Sequence, residues 1–405
     1  MSEWKEVKLS DISHLQYGYT ATSKKINVGP KYLRITDIVK DTIDWDNVPF
    51  CKIEEKKISK YLLNIGDIVV ARTGNTVGYA KLIRKDIFAV FASYLIRIQL
   101  NQTKADPNYV GRLIESNIFK KYIHSMKSGA AQPNANAEVI GRFQFCLPPL
   151  KTQQKIASIL STYDDLIENN NRRITILEEM AQKLYREWFV KFRFPGYEEV
   201  KMVESELGLI PEGWEVKRID DFGKVVTGKT PSKKREEYYG NDVPFIKTPD
   251  MHNGIFVINT NEYLTYEGAD SQKNKYLPPK SISVSCIGTV GIVSINAISA
   301  QTNQQINSVV LKESFFLEFL YFALLDLKST IQNYGSTGAT MANLSKGKFE
   351  QLKIIVPSQN LIKYFHKIVS PLFNQILIFS KKNINLKQQR DLLLPKLISG
   401  KIDVL

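Results

Sequence analysis

The sequence is poor in the residues that most often bind metals or form disulfide bonds. It has 3 cysteines and 4 histidines in 405 residues, with no C-x-x-C and no histidine paired with a cysteine or an acid at ligand spacing. Such a sparse, odd set of cysteines is typical of a reducing cytosol and argues against a disulfide framework or a zinc site. These residues are Cys51, Cys146, Cys286, His14, His124, His252 and His366.

Long apolar runs are missing as well. No stretch approaches the ~18 consecutive apolar residues that a membrane span requires. The amino-terminal sequence MSEWKEVKLS is charged and lacks the apolar core of a signal peptide. We therefore expect a cytoplasmic protein with no membrane partner.

The common catalytic motifs are also absent. G-x-S-x-G, G-x-G-x-x-G and the N-P-P-[YF] signature of amino-methyltransferases do not occur. A nuclease-like Glu-x-Lys in the sequence EEVK has no partnering acid nearby. The sequence predicts a chain that is not itself an enzyme and that binds no cofactor or metal.

Positive charge is in excess. Lysine and arginine number 55 against 41 aspartate and glutamate residues, which gives a net charge of +14. This balance favours a polyanionic partner, most often nucleic acid, over the alternative of a soluble basic protein without such a partner.

The chain contains an internal repeat of about half its length. WKEVKLSDISHLQYGYTATSKK begins at Trp4 and WEVKRIDDFGKVVTGKTPSKKR begins at Trp214, a shift of 210 that also aligns Gly18 with Gly228. Further along, SGAAQPNAN and STGATMANL align at a shift of 209. Because the shift hardly changes, both halves are predicted to share one fold.

Each half has two parts of different character. The first is a module in which apolar runs such as GDIVVA and SISVSC alternate with Gly/Asn/Thr loops and precede helical segments, which predicts an α+β class. The second is poor in glycine and proline and has a heptad pattern. The predicted boundaries are 1–147 for the first module, 148–190 for the first long helix, 191–213 for a linker, 214–356 for the second module, and 357–405 for the second long helix with the C-terminal tail.

The heptad patterns predict two coiled-coil helices. One amphipathic helix alone would be explained equally well by closing a core, but two at equivalent repeat positions favour an antiparallel pair about a pseudo-two-fold axis. Asn170 and Asn383 interrupt the apolar seams, and we expect them to face each other and fix the register. The seams are Ile156, Leu160, Tyr163, Ile167, Asn170, Ile174, Leu177, Ala181, Leu184 and Trp188, and Phe365, Val369, Leu372, Ile376, Phe379, Asn383, Leu386, Arg390, Leu393 and Leu397.

Residues 223–230, GKVVTGKT, match the phosphate-binding motif G-x-x-x-x-G-K-[ST]. That motif needs a buried parallel strand before it and a helix after it, but WEVKRIDDF is charged and Pro231 follows with no apolar helical stripe. The equivalent residues 13–20, SHLQYGYT, lack the first glycine and the lysine. We therefore interpret the segment as a basic loop that contacts DNA phosphate, and keep a nucleotide-hydrolysing enzyme as the least favoured alternative.

Nearly the whole chain resembles the DNA-specificity (S) subunits of type I restriction–modification systems. The similarity lies in the duplicated modules and in LPPLKTQQKIASILSTYDDLIENNNRRI, LYREWFVKF, LGLIPEGW and LLPKLISGKIDVL. It implies two tandem target recognition domains, separated by two long helices that pair as an antiparallel coiled coil. Each domain would read half of a bipartite, asymmetric sequence in double-stranded DNA. A stand-alone architectural DNA-binding protein with a coiled-coil spacer is the alternative.

The resemblance also implies the partners. Two methyltransferase subunits would carry S-adenosylmethionine and methylate adenine, and restriction/translocase subunits would use ATP and Mg²⁺, so that this chain needs no cofactor of its own. We predict contact with these partners through the solvent faces of the helices, at Arg172, Arg173, Lys381 and Lys382.

Candidate DNA contacts follow from residue chemistry. Arginine reads guanine, asparagine and glutamine read adenine, and lysine or arginine on loops neutralises phosphate; for each residue a role as a solvated side chain or turn former stays open. The candidates of the first module are Tyr19, Lys24, Lys25, Arg34, Arg72, Asn75, Ser93, Lys127 and Ser128. Those of the second are Lys229, Thr230, Ser232, Lys233, Lys234, Lys247, Gln304, Gln305, Ser336, Thr337 and Thr340.

Overall fold

The computed structural model of the chain describes residues 4–39, 42–126, 135–335 and 343–404. They form two compact units, the first made of residues 1–166 and 386–405 and the second of residues 167–385. Both units combine small sheets with helices, which confirms the α+β class. Among the helices of these described ranges, none has the length and apolar run that crossing a membrane requires.

Ten strands lie in the described residues of the first unit. Strands β2-β9-β6-β7 form one antiparallel sheet, β3-β5-β4-β8 form a second in which β4 and β8 are parallel, and β1 pairs with β10. The elements are β1 Lys5–Lys8, β2 Ser13–Tyr17, β3 Ser23–Lys24, β4 Lys31–Leu33, α1 Ile35–Ile38, β5 Phe50–Cys51, α2 Glu55–Tyr61, β6 Ile68–Ala71, β7 Ala80–Leu82, β8 Ala89–Phe91, β9 Leu95–Leu100, α3 Pro107–Glu115, α4 Asn117–Ser125, α5 Ala137–Gly141, β10 Gln144–Leu147 and the start of α6 Leu150–Tyr185.

Strand β6 explains how the first unit builds its core. All four of its residues are buried, because successive side chains point to opposite faces of the strand and both faces are covered. Ile68 and Val70 join the core that contains Leu160 of α6, whereas Val69 and Ala71 join a second core beneath the β3-β5-β4-β8 sheet. The continuous apolar run GDIVVA thus reads as a strand buried on both sides.

The second unit repeats this plan. Strands β14-β22-β19-β20 have the order and antiparallel pairing of β2-β9-β6-β7, with β17 added in parallel, and β15-β18-β16-β21 correspond to β3-β5-β4-β8. The predicted repeat is therefore confirmed. The elements are β11 Met202–Ser205, β12 Gly208–Pro211, β13 Glu215–Arg218, β14 Gly223–Thr227, β15 Tyr239–Gly240, β16 Val243–Ile246, β17 Phe256–Val257, β18 Glu262–Leu264, α7 Tyr266–Asp270, β19 Ile282–Ser285, β20 Val293–Asn296, β21 Gln301–Thr302, β22 Ile306–Leu311, α8 Leu317–Asp326, α9 Lys328–Gly335, α10 Lys346–Glu350, β23 Lys353–Val356 and α11 Gln359–Ile398.

Helices α6 and α11 have 36 and 40 residues and run antiparallel. In the first unit the start of α6 shares a core with the end of α11, through Leu160 and Leu397. In the second unit the π-helical turn Arg186–Val190 after α6 brings Trp188 against Phe365 near the start of α11, with ring centroids 5.9 Å apart. All twenty predicted seam residues are buried or half-buried, which confirms the two heptad patterns.

Candidate nucleic-acid interface

In the first module, the residues after β2 are bound to the turn between β8 and β9. The Gly18 amide donates to the carbonyl oxygen of Leu95 at 3.1 Å, and the Ser93 amide donates to that of Tyr19 at 2.9 Å. A Cβ atom on Gly18 would overlap the carbonyl oxygen of Ala92, so only glycine fits this close approach. The turn therefore brings Tyr19 and Ser93, two candidate DNA contacts, side by side.

The second module has the same arrangement. The Gly228 amide donates to the carbonyl oxygen of Ile306 at 3.0 Å, and the Lys229 amide donates to that of Thr302 at 3.0 Å. A Cβ atom on Gly228 would overlap the carbonyl oxygens of Thr302 and Asn303. The recurring glycine of the repeat is thus explained by backbone packing in both modules.

In each module a third loop is bound to the pair of loops just described. The Arg72 amide donates to the carbonyl oxygen of Tyr94 at 3.1 Å, and at the equivalent place the Cys286 amide donates to that of Gln305 at 2.7 Å. We call this arrangement the three-loop site. It comprises residues 18–20, 72–77 and 92–94 in the first module and residues 228–230, 286–289 and 303–305 in the second.

The three-loop site of the first module carries an arginine held between the ring of Tyr17 and the backbone of Ser93. The Arg72 guanidinium lies 4.9 Å from the ring centroid of Tyr17 and donates to the carbonyl oxygen of Ser93 at 3.4 Å. Its buried Nε has no hydrogen-bond partner among the described residues. Tyr94, at the tip of the turn, is 61% exposed. Sequence reasoning missed Tyr17 and Tyr94, although exposed aromatics beside a basic residue are a usable signal.

The three-loop site of the second module is built from amides instead. Thr230 Oγ1 is hydrogen-bonded to Gln304 Oε1, and Asn303 Nδ2 donates to Gln305 Oε1 at 3.0 Å. Below them the buried Gln272 donates from Nε2 to the carbonyl oxygen of Lys229 at 2.8 Å. Four of the predicted residues, Lys229, Thr230, Gln304 and Gln305, thus come together. Sequence reasoning missed Asn303 and Gln272.

Six other candidates are exposed residues in these loops or near them in sequence, and none carries an ion pair or side-chain hydrogen bond within the described residues. The four lysines among them suit phosphate contacts, which need a charge on a long side chain more than fixed geometry. They are Lys24, Lys25, Asn75, Ser232, Lys233 and Lys234.

Arg34 and Lys247 are held by carboxylates of their own modules. The Arg34 guanidinium binds Asp37 at 2.9 Å, and this hydrogen bond raises the pKa of Arg34. Lys247 Nζ pairs with Glu262, and the Lys247 amide donates to Asp250 at 2.8 Å, just as the Arg34 amide donates to Asp37. Both residues therefore anchor the start of a short helical turn at equivalent places.

Five predicted contacts lie outside the described residues. They are Lys127, Ser128, Ser336, Thr337 and Thr340, in the two equivalent segments 127–134 and 336–342.

The GKVVTGKT segment has the geometry of a strand followed by a turn. Its strand, β14, is antiparallel to β22, and the amides of Gly228 and Lys229 are bound to backbone carbonyls. A phosphate-binding loop instead follows a parallel strand and leaves such amides free for the ligand. Within the described ranges, no three His, Cys, Asp or Glu side chains converge as metal ligands would.

The long helices carry the predicted asparagines at their contact. Asn170 Nδ2 donates to Asn383 Oδ1 at 2.8 Å, and Asn383 Nδ2 donates to Asn171 Oδ1 at 2.8 Å, so three amides form one network. Exposed cations surround it: the Arg173 guanidinium and Lys382 Nζ lie 5.5 and 5.8 Å from the ring centroid of Phe379. Arg172 and Lys381 are the other exposed residues of this cluster.

Comparison with known proteins agrees with this architecture. The model of the "Type I restriction modification DNA specificity domain" matches residues 1–179 and 211–388. The chain is 33% identical to the type I restriction enzyme HindI specificity subunit of Haemophilus influenzae, over 99% of this chain and all of that protein. It is 29% identical to the MjaIX specificity subunit of Methanocaldococcus jannaschii, over 99% of this chain and 94% of that one.

A solved structure has the same fold. It is the S subunit of a type I restriction–modification system from M. genitalium, which superposes with a TM-score of 0.59 at 18% identity and covers 97% of this chain and 96% of that one. With two matched domains and relatives similar over its whole length, the chain belongs to the family of type I restriction modification DNA specificity domains.

Proposed function

We propose that this chain is the specificity subunit of a type I restriction–modification system and that its modules read the two halves of a bipartite, asymmetric DNA sequence. One observation carries the proposal: the same three loops come together in both modules but present different side chains. Because base edges are read by side chains while backbone geometry positions them, a shared framework with different tips suits two different half-sites.

The side chains suggest how each half-site is read. In the first module Arg72 would bond guanine in the major groove, with Asn75 and Ser93 beside it. In the second module Gln304 and Gln305 would bond adenine, since an amide matches both edge atoms of that base. The exposed lysines of both modules would neutralise phosphates and supply the part of the affinity that depends on salt.

The long helices would set the distance between the half-sites. At ~1.5 Å per residue, a helix of 36 residues is roughly 54 Å long. Its pairing with α11, through an apolar seam and the Asn170–Asn383 hydrogen bond, would keep that length rigid.

Catalysis would belong to partner subunits in the cytoplasm. Two methyltransferase subunits would supply S-adenosylmethionine and methylate adenine, and restriction/translocase subunits would supply ATP and Mg²⁺. Arg172, Arg173, Lys381 and Lys382 would contact an acidic partner surface, because none of them has an ion-pair partner within the described residues.

Co-purification with an adenine methyltransferase, followed by sequencing of methylated adenines, tests the proposal. We expect two methylated adenines separated by about one helical turn, within a target that is not a palindrome. Replacing residues 303–305 by the equivalent Ala-Ser-Tyr should alter one half-site and leave the other unchanged. A palindromic target would contradict the proposal that the two modules read different sequences. Full-affinity specific binding without any methyltransferase would favour the stand-alone architectural protein.

A further inference from the structure

One carboxylate in the first unit gathers three arginines from three other elements. Asp164, on α6, binds Arg112 of α3 at 2.5 Å, Arg390 of α11 at 2.7 Å and Arg84, just after β7, at 3.2 Å. Arg84 reaches on to Glu115 at 3.5 Å. We call Asp164 with these arginines the arginine hub. It links the first recognition module to both long helices.

The ion pair between Arg112 and Asp164 is the most buried part of the arginine hub. The side chains of Arg112 and Asp164 are only 7% and 18% exposed. Burial by itself would raise the pKa of Asp164, but the charges and hydrogen bonds of Arg112 and Arg390 outweigh it and lower that pKa below its ordinary value. The carboxylate therefore stays ionised at neutral pH, and its loss would leave a buried, uncompensated arginine.

A half-open cleft lies beside the apolar contact that Ile156 and Leu160 of α6 make with the first module. A cavity of about 430 Å³ opens beside the hub, between the first module and α6. Its lining includes Gly66, Gln102 and Asp106 of the module and Ser161, Asp164 and Asp165 of the helix. Beside this cleft, directional bonds add to the apolar contact in fixing the angle between the module and the helix, and arginine's planar fork is suited to that task.

The repeat provides a comparison inside the same chain. The shift of 209 residues between the long helices takes Asp164 to Phe373 and Arg390 back to Ala181. In the second unit Phe373 is packed by Tyr321 of α8, with ring centroids 5.6 Å apart and an interplanar angle of 83°. Phe373, Tyr321 and Ala181 are all buried. The second unit thus uses apolar packing at the place where the first uses an ionic hub.

We propose that Asp164 is a positioning residue that holds the first recognition module at a fixed angle on the long helices and thereby sets which half-site spacing the protein accepts. The inference rests on the proposed function, because spacing has meaning only for a bipartite target. Adding one base pair between the half-sites lengthens the DNA by ~3.4 Å and turns one half-site by roughly 35° relative to the other. An angle set by directional bonds would reject that change.

The test measures binding of the full chain, with its methyltransferase partner, to duplexes that carry the target with the native spacer or with one base pair more or less. The variants are Asp164→Asn and the milder Arg390→Gln, which removes from the hub only the bond from α11 and also ends the pair of Arg390 with Asp391 on the same helix. Glu138→Gln is the matched control, because it breaks an exposed ion pair with Arg142 in the same unit. We expect Asp164→Asn to reduce discrimination against the altered spacers about tenfold, which corresponds to ~1.4 kcal/mol, and the control to match the parent.

Base preference within each half-site should stay unchanged in Asp164→Asn, which a general loss of structure would not allow. If Asp164→Asn fails to fold, the spacing profile of Arg390→Gln decides the question. A folded variant that rejects altered spacers as well as the parent does would overturn the role of Asp164. A parent protein with no spacing preference would instead contradict the proposed bipartite function.

Discussion

At the scale of single residues, the sequence predicted which positions recur but not the contacts that fix them. Gly18 and Gly228 were identified as a recurring turn, but the reason for the glycines is a carbonyl group more than 70 positions further along the chain. Arg34 and Lys247 stay predicted DNA contacts, and the structure adds a second role, because each donates its backbone amide to an aspartate three residues on. Residue type does not separate these roles, because arginine and lysine serve both as anchors and as phosphate ligands.

The packing of Gly228 leads to a prediction about stability. Gly228→Ala places a Cβ atom on the carbonyl oxygens of Thr302 and Asn303, so the backbone of the three-loop site must shift. We expect a loss of roughly 2–4 kcal/mol in the free energy of unfolding, measured by denaturant titration.

Gly347→Ala is the matched control in the same unit. This glycine lies in α10 with no atom within 4 Å of its Cβ position, so alanine should be neutral or stabilise by about 0.5–1 kcal/mol. Equal effects of the two substitutions would show that the close approach at Gly228 is unimportant.

At the scale of elements, periodic segments were the most predictable. Both long helices follow from sustained heptads, because a stripe repeated over 30 residues has few alternatives. Short elements were harder: the hairpin β11–β12 lies in a segment interpreted only as a linker, and β17 adds a strand with no counterpart in the described residues of the first module. Two-residue strands such as β17 are set by tertiary pairing, which local sequence does not record.

The asparagine network predicts a coupling between the two helices. Asn383→Leu would leave the buried amide of Asn170 without its partner, at a cost of about 1–3 kcal/mol. The double variant Asn170→Leu, Asn383→Leu removes both buried amides and should recover most of that loss or exceed the parent, because apolar side chains fit a heptad seam.

Thermal unfolding of the four proteins of this double-mutant cycle measures the coupling. Asn385→Leu, at an exposed site two residues away on the same helix, should change stability by less than ~0.5 kcal/mol. Strictly additive effects of the two substitutions at 170 and 383 would mean that the hydrogen bond contributes nothing to helix pairing.

At the scale of the whole molecule, the repeat was the most informative property of the sequence. It predicted two copies of one fold and so placed GKVVTGKT of the second copy opposite SHLQYGYT of the first, which has no phosphate motif. What it could not supply was the grouping of loops within each module. Arg72, Ser93 and Tyr19 are separated by up to 74 positions, and only the sheet order β2-β9-β6 brings them together.

The net charge of +14 leads to the last prediction, which separates charge from sequence reading. If Lys229, Lys233 and Lys234 neutralise DNA phosphates, the triple alanine variant should lower the slope of log affinity against log salt by up to ~0.9 per lysine and weaken binding to all sequences alike. Alanine at Gln304 and Gln305 should instead leave the slope unchanged and relax the base preference of one half-site. Alanine at Lys151, Lys155 and Lys396, three exposed lysines of the long helices, controls for charge alone. Long-range attraction depends on the total charge of the protein, whereas a phosphate contact depends on where the lysine lies. An equal change of slope in both triple variants would therefore show that the basic loop has no specific role. The match to a phosphate motif there would then be an accident of composition.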